Sequence, residues 1–206
     1  MLLFRRVLFA AIGATGVGMT LCGVVLAQAP SSSRIRGDVT SIDSHELVVT
    51  SRAGEKVMMK LASDARATFI TAISIDAIRP GSFIGTAAVA QPDGTLKALE
   101  VHVFPESMRG VGEGYHPWDT GADSTMTNGT VGDLKVANGR YLTVTYKGGE
   151  QKVFVPENAP VVTFEPATMA DVKTGDHVMV TATHNADETL TATRISVGKN
   201  GLVPPM

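Results

Sequence analysis

The sequence predicts an all-β protein of two tandem five-stranded Greek-key barrels, each with a short helix between its third and fourth strands. Three observations predict it. The chain repeats itself, because residues 37–103 match residues 129–197, and both Gly81 to Gly175 and Asp93 to Asp187 are 94 positions apart. Each copy carries the same order of alternating segments and glycine stops. The last strand of each copy also switches the parity of its apolar residues partway along.

In the first copy, residues 34–42, 46–51 and 56–61 alternate apolar and polar side chains, the period of a half-buried strand. Residues 43–45 and Arg52-Ala53-Gly54 supply the turns. In the second copy, residues 130–135, 141–146 and 152–155 correspond, with Lys147-Gly148-Gly149 as a turn. Residues 74–79 and 167–173 read as one or two helical turns, stopped by Gly81 and Gly175. Residues 82–90 and 97–103 complete the first copy, and residues 177–184 and 190–197 the second. Leu96 and Ala98 share one parity, while Val101 and Val103 share the other. Leu190 and Ala192 against Ile195 and Val197 repeat that switch, which a β-bulge explains and which lets a small sheet curl shut. Three strands, a helix and two strands is the order of the oligonucleotide/oligosaccharide-binding (OB) barrel. Each copy is expected to close its own small core, near the lower size limit for one core.

The organisation that follows is a signal peptide over residues 1–27, a disordered segment over 28–33, the first barrel over 34–104, an ordered glycine-rich crossover over 105–128, the second barrel over 129–198 and a tail over 199–206. Arg5 and Arg6 precede an uncharged apolar run from Val7 to Leu26, and Val25-Leu26-Ala27 offers a cleavage site before Gln28. A retained anchor is the alternative, since the run approaches the length of a membrane span. Lipid attachment at Cys22 is another, against which stands the bulk of Leu21. The expected address is periplasmic or secreted. Cys22, the one cysteine, leaves with the leader, so the mature chain has no disulfide, thiolate nucleophile or sulfur-rich zinc site. Loss of the two arginines leaves 16 basic against 20 acidic residues, so the net charge moves from −2 to −4. That charge argues against nucleic acid and, after cleavage, against a membrane partner.

The crossover carries most of the candidate chemistry. It holds Trp118, the only tryptophan, with Tyr115 and His116, and aromatic side chains in a loop need a surface to cover them. Trp118, Tyr115 and Arg109 are the candidate ligand-binding residues. Glu113, His116 and Asp119 stand at three-residue steps, with Glu106, Arg109 and Asp123 nearby; a loop that curled would bring two carboxylates and an imidazole around a divalent cation. Copper is a second metal reading, through the thioethers of Met58, Met59, Met108, Met126 or Met179. Met58 and Met59 are adjacent, so on a strand they face opposite sides and one of them packs. His45, His102, His177 and His184 read as scattered, solvated strand-edge and turn residues. The ligand face of an OB barrel lies on strands two and three. It would hold Val48, Thr50, Val57 and Met59 in the first copy, and Tyr141 or Tyr146 with Lys147 and Lys152 in the second.

Several short stretches carry a resemblance: Ile78-x-x-Gly81 and Val172-x-x-Gly175, Phe104-Pro105-Glu106, Arg109-Gly110, Gly112-Glu113-Gly114, Trp118-Asp119, Ser124-Thr125-Met126-Thr127-Asn128 and Pro204-Pro205-Met206. On these the chain resembles small exported bacterial proteins with tandem OB-like barrels and no settled function. Relatives often bear the label of a metal ABC transporter permease. A permease needs several spans of about 20 apolar residues, and the sequence holds none after Leu26. The resemblance implies a fold and an address.

The expected function is therefore that of an exported, non-catalytic binding or assembly protein, without a cofactor, whose partner is a periplasmic protein or a small ligand. The sequence has no serine elbow, phosphate-binding glycine loop or paired-histidine zinc motif, and no catalytic residue is assigned. The alternatives are divalent-metal or copper handling through the central loop, and a hydrolase using the central-loop carboxylates.

Overall fold

The computed structural model describes residues 31–206. These residues are mostly β: β1 (Ser32–Ile42), β2 (Glu46–Ser51), β3 (Lys56–Ala72), β4 (Phe83–Ala90), β5 (Leu96–Val103), β6 (Gly114–Pro117), β7 (Ser124–Val136), β8 (Arg140–Tyr146), β9 (Gly149–Val155), β10 (Val161–Pro166), β11 (His177–His184) and β12 (Leu190–Gly198). Among them no helix is long and apolar enough to cross a membrane. The signal peptide expected over residues 1–27 lies outside the described residues.

The local signals act where the side chains require. The two stretches read as helical turns each hold a single 3-10 turn, Ile75–Ala77 and Met169–Asp171. The Ser74 hydroxyl caps the first, and a Thr168–Asp171 capping box closes the second. Gly81 and Gly175 follow with φ of 83° and 92°, a backbone region that favours glycine. In the hairpin between β4 and β5, the Asp93 carboxylate accepts from the amide and hydroxyl of Thr95, and Asp187 does the same with Thr189 between β11 and β12. The parity switches are bulges: the pairing register shifts at Leu99 in β5 and at Thr193 in β12. Ser32 and Ser33, expected in a disordered segment, instead extend β1 against Ala182 and Thr183. The edge of β11 offers backbone partners there, and the Ser33 hydroxyl meets His184 Nε2 at 2.6 Å.

Strand partnership departs from the expectation that each copy closes on itself. One five-stranded barrel closes in the order β1-β2-β3-β12-β11, with β3 and β12 parallel and the other pairs antiparallel. It takes three strands from the first copy and two from the second. The strands β7-β8-β9-β5-β4 form the complementary ring, closed by a two-residue parallel contact of Leu96 with Val153 and Lys97 with Phe154. The physical cause is the length of β3. It runs 11 residues past the segment predicted for it, pairs with β12 along residues 66–70, and continues against β10 along residues 68–72. The chain thus leaves β3 beside the other ring, and a short connection drops β4 against β7. Because β10 also pairs with β5, all twelve strands form one continuous sheet.

The arrangement has an approximate twofold axis. Val101 lies opposite Val161, and 94 positions on, Ile195 lies opposite Ala67. Ile70 lies opposite Phe164, its own counterpart at that offset, so the axis passes through this pair. Each core consequently mixes the two copies. Val39, Leu47 and Val49 pack with Val180, Ile195 and Val197 inside the first ring. Ile84, Ala98 and Val101 pack with Val131, Val144 and Val153 inside the second. A smaller cluster of Ile70, Val162 and Met206 sits at the axis, outside both rings.

Candidate ligand cavity between the rings

The strands from β1 through β11, β12, β3, β10, β5, β4 and β7 to β6 present one outer face, and the period of two decides what it carries. On β5, Val101 points into the ring, so Glu100 and His102 point out; on β7 the outward residues include Met126 and Asn128. Gly85 of β4 lies between His102 and Asn128 in register. A Cβ at Gly85 would sit 2.5 Å from Asn128 Oδ1 and 3.1 Å from a Phe104 ring carbon. The missing side chain therefore lets the Asn128 amide and the Phe104 ring close over the Gly85 backbone.

His102, Phe104 and Asn128 also line a cavity of about 320 Å³. Phe104 and Phe164 stack at 5.2 Å along one wall, and the His102 ring stands edge-on to both, at 6.2 and 5.5 Å. Arg34, Thr181 and Arg194 line the side formed by the first ring. The Glu100 carboxylate holds the imidazole of His102 at 2.6 Å from Nε2, and these residues are 1% and 5% exposed. His102, expected among the solvated histidines, is thus buried, because the face that carries it is roofed.

Two straps form the roof. The first is the crossover, which makes a turn at Glu106–Met108 and then adds β6 to the edge of β7. The Asn128 amide donates to the Val111 carbonyl at 3.2 Å. Trp118 N–H donates to Ser124 O, and the Arg34 guanidinium lies 3.8 Å over the indole. The second strap is the segment after β12. Arg36 Nε donates to the main-chain oxygen of Met206 at 2.6 Å, and Arg52 to that of Pro204 at 2.7 Å. Met206 is 1% exposed.

The predicted site residues divide along this geometry. Trp118 and His116 line the cavity. Tyr115 is exposed on β6. Arg109 is bound by Glu106 at 2.6 Å and donates to the Gly81 carbonyl, which pins the strap to the second ring. The Glu106 carboxylate lies below its ordinary range because of that arginine. Glu113 accepts from the Lys147 amide at 2.9 Å, and Asp119 is held by Arg36 at 2.7 Å and Arg34 at 3.7 Å. Partial burial pushes the Asp119 carboxyl up, but the Arg36 hydrogen bond and the charges of Arg36 and Arg34 outweigh it and hold it below the usual range. Glu113, His116 and Asp119 therefore serve separate contacts. Among the described residues no three His, Cys, Asp or Glu side chains gather as a metal site.

Three buried polar atoms here have no protein partner: Trp118 Nε1, Asn128 Oδ1 and Glu100 Oε1. Such atoms are costly unless something supplies a partner. Sequence reasoning missed Glu100, His102, Phe104 and Phe164 as a group. The one local signal was a glycine, Gly85, inside a strand otherwise of buried residues.

Other depressions are less organised. A larger one of about 620 Å³ at the mouth of the first ring lies between Ile42, His45, Leu61 and Met169. Its one carboxylate, Asp43, is already used by the amides of His45 and Glu46. On the strand-two and strand-three faces, Met59 is buried and Met58 is 63% exposed, while Tyr141 stacks on Phe154 at 4.6 Å.

Residues 129–196 match the family profile of DUF5666, a domain of unknown function. The matched segment supplies β8, β9, β10 and β11 whole and most of β7 and β12, and so contributes to both rings. No curated protein and no solved structure matches the chain.

Proposed function

We propose that this chain is an exported, non-catalytic binding protein built from two OB-like barrels that exchange strands, and that its ligand sits in the cavity between them. The observation that carries the reading is a roofed cavity in which Trp118 Nε1 and Asn128 Oδ1 are buried without partners. A ligand that hydrogen-bonds to both relieves that cost. The OB assignment is supported by strand order, since each ring runs 1-2-3-5-4 once the exchanged strands are counted by position in their copy. The aromatic wall favours a compact, partly apolar ligand over a polymer. Export is supported by the leader pattern over residues 1–27.

The test uses the chain's only tryptophan, which lines the site. Titration with 1-anilinonaphthalene-8-sulfonate, an apolar fluorescent anion, is expected to quench Trp118 and saturate at one equivalent. Gly85→Ala, whose Cβ displaces the Asn128 amide that lines the cavity, weakens that binding while thermal melting confirms a folded protein. Unchanged Trp118 emission in wild type sinks the cavity reading. Amino-terminal sequencing of periplasmic protein is expected to begin at Gln28; a retained leader overturns the cleavage site.

A further inference from the structure

We propose that the cavity between the rings is a copper(I) site. This rests on the reading of that cavity as a ligand site and gives it a soft metal ion in addition to the hydrogen-bonding ligand. Of the seven methionines among the described residues, four line this one cavity: Met108, Met126, Met179 and Met206. Two of the five histidines, His102 and His116, join them. The six residues come from six different segments: the Glu106–Met108 turn, β7, β11, the final strap, β5 and β6. Their convergence is therefore made by the tertiary structure and reflects no methionine-rich stretch of chain.

Thioether sulfur is a soft ligand and imidazole a borderline one, and the combination suits Cu(I) over hard divalent cations. Packing alone accounts for a methionine in an apolar gap, and Met179 and Met206 do pack beside Ile70 and Val162. Packing does not account for the Glu100–His102 pair. A metal-ligating histidine characteristically gives its other ring N–H to a carboxylate, which fixes the ring and its tautomer. With Nε2–H donated to Glu100 Oε2 at 2.6 Å, the lone pair of His102 is on Nδ1, which has no hydrogen-bond partner among the described residues. The carboxylate is buried, and its Oε1 is unpartnered. That carboxyl keeps spare acceptor capacity behind the imidazole, next to a set of neutral soft ligands. Of the two guanidinium groups in the lining, Arg34 is paired with Asp119 and Arg194 is exposed to solvent, where water screens it. Copper enters and leaves as Cu(I), and no electron transfer is involved.

The experiment is an anaerobic titration of the purified exported protein with Cu(I), in competition with bicinchoninate. Wild type is expected to withdraw one Cu(I) per chain and to quench Trp118 in step. The double variant Met126→Leu/Met179→Leu conserves volume and folds, and it weakens Cu(I) binding at least a hundredfold. Glu100→Gln weakens it by about tenfold, as for the partner of a metal-bound histidine. The surface control Met58→Leu leaves the affinity unchanged. Retention of all copper by bicinchoninate overturns the proposal, and so does wild-type affinity in the double leucine variant. The fluorescent-anion titration separates the two readings. Anion bound at Trp118 with no Cu(I) uptake sinks the copper site and keeps the cavity, whereas failure of both sinks both.

Discussion

Asp119 has neighbours in the fold other than those its place in the sequence suggested. Its spacing from Glu113 and His116 suggested a shared cation. In the folded chain it accepts two hydrogen bonds from Arg36 and lies 3.7 Å from Arg34, which covers Trp118. It is a clasp between the crossover and β1. Its carboxyl is held below its unfolded value of about 3.9, so its contribution is present above that pH and fades as pH falls through the lower folded value. Asp119→Asn is expected to cost about 1 kcal/mol at pH 7, with red-shifted Trp118 emission. Urea melts at pH 7 and pH 3 check it: the gap between wild type and variant narrows at the lower pH. A gap of equal size at both pH values overturns the charge-based account.

At the scale of elements, the strands were legible because side-chain alternation is a local property. The hairpins were legible because Asp93-Gly94 and Asp187-Glu188 carry their own turn chemistry. The second half of β3, the whole of β10 and the short β6 were not, since their residues alternate weakly and their partners lie far away in sequence. Gly37 and Gly129 mark a feature that alternation cannot register. A Cβ at Gly37 would fall within the van der Waals shell of the Thr50 carbonyl oxygen, and one at Gly129 would lie 2.5 Å from that of Thr145. These glycines let β1 cross β2, and β7 cross β8, closely enough to curl each sheet. Gly37→Ala is expected to lower stability by about 1–3 kcal/mol through backbone displacement. Chemical denaturation measures it, and a loss below about 0.5 kcal/mol contradicts the crossing.

At the scale of the molecule, exchange of strands makes the two copies interdependent. Leu47 and Val49 have buried neighbours from β11 and β12, and Val101 has them from β7 and β9. A chain cut in the crossover is expected to give two fragments, 31–104 and 105–206, neither of which melts cooperatively as a monomer. Mixed at equal concentration, they regain the near-UV spectrum of the intact protein, because each completes the other's barrel. Independent two-state melting of either fragment overturns the exchange. The cavity belongs to this scale as well: its floor is on the second ring, its cationic side on the first, and its roof on the two straps.

The amino-acid order by itself determined where strands, turns and bulges fall, because alternation, glycine torsions and side-chain caps act over a few residues. Only the tertiary structure decided which strands share a barrel. Two similar copies offer interchangeable fourth and fifth strands, and the choice between them was made by how far β3 runs before the chain turns. That choice placed His102, Met126, Met179 and Trp118 around one space, which no stretch of sequence contains.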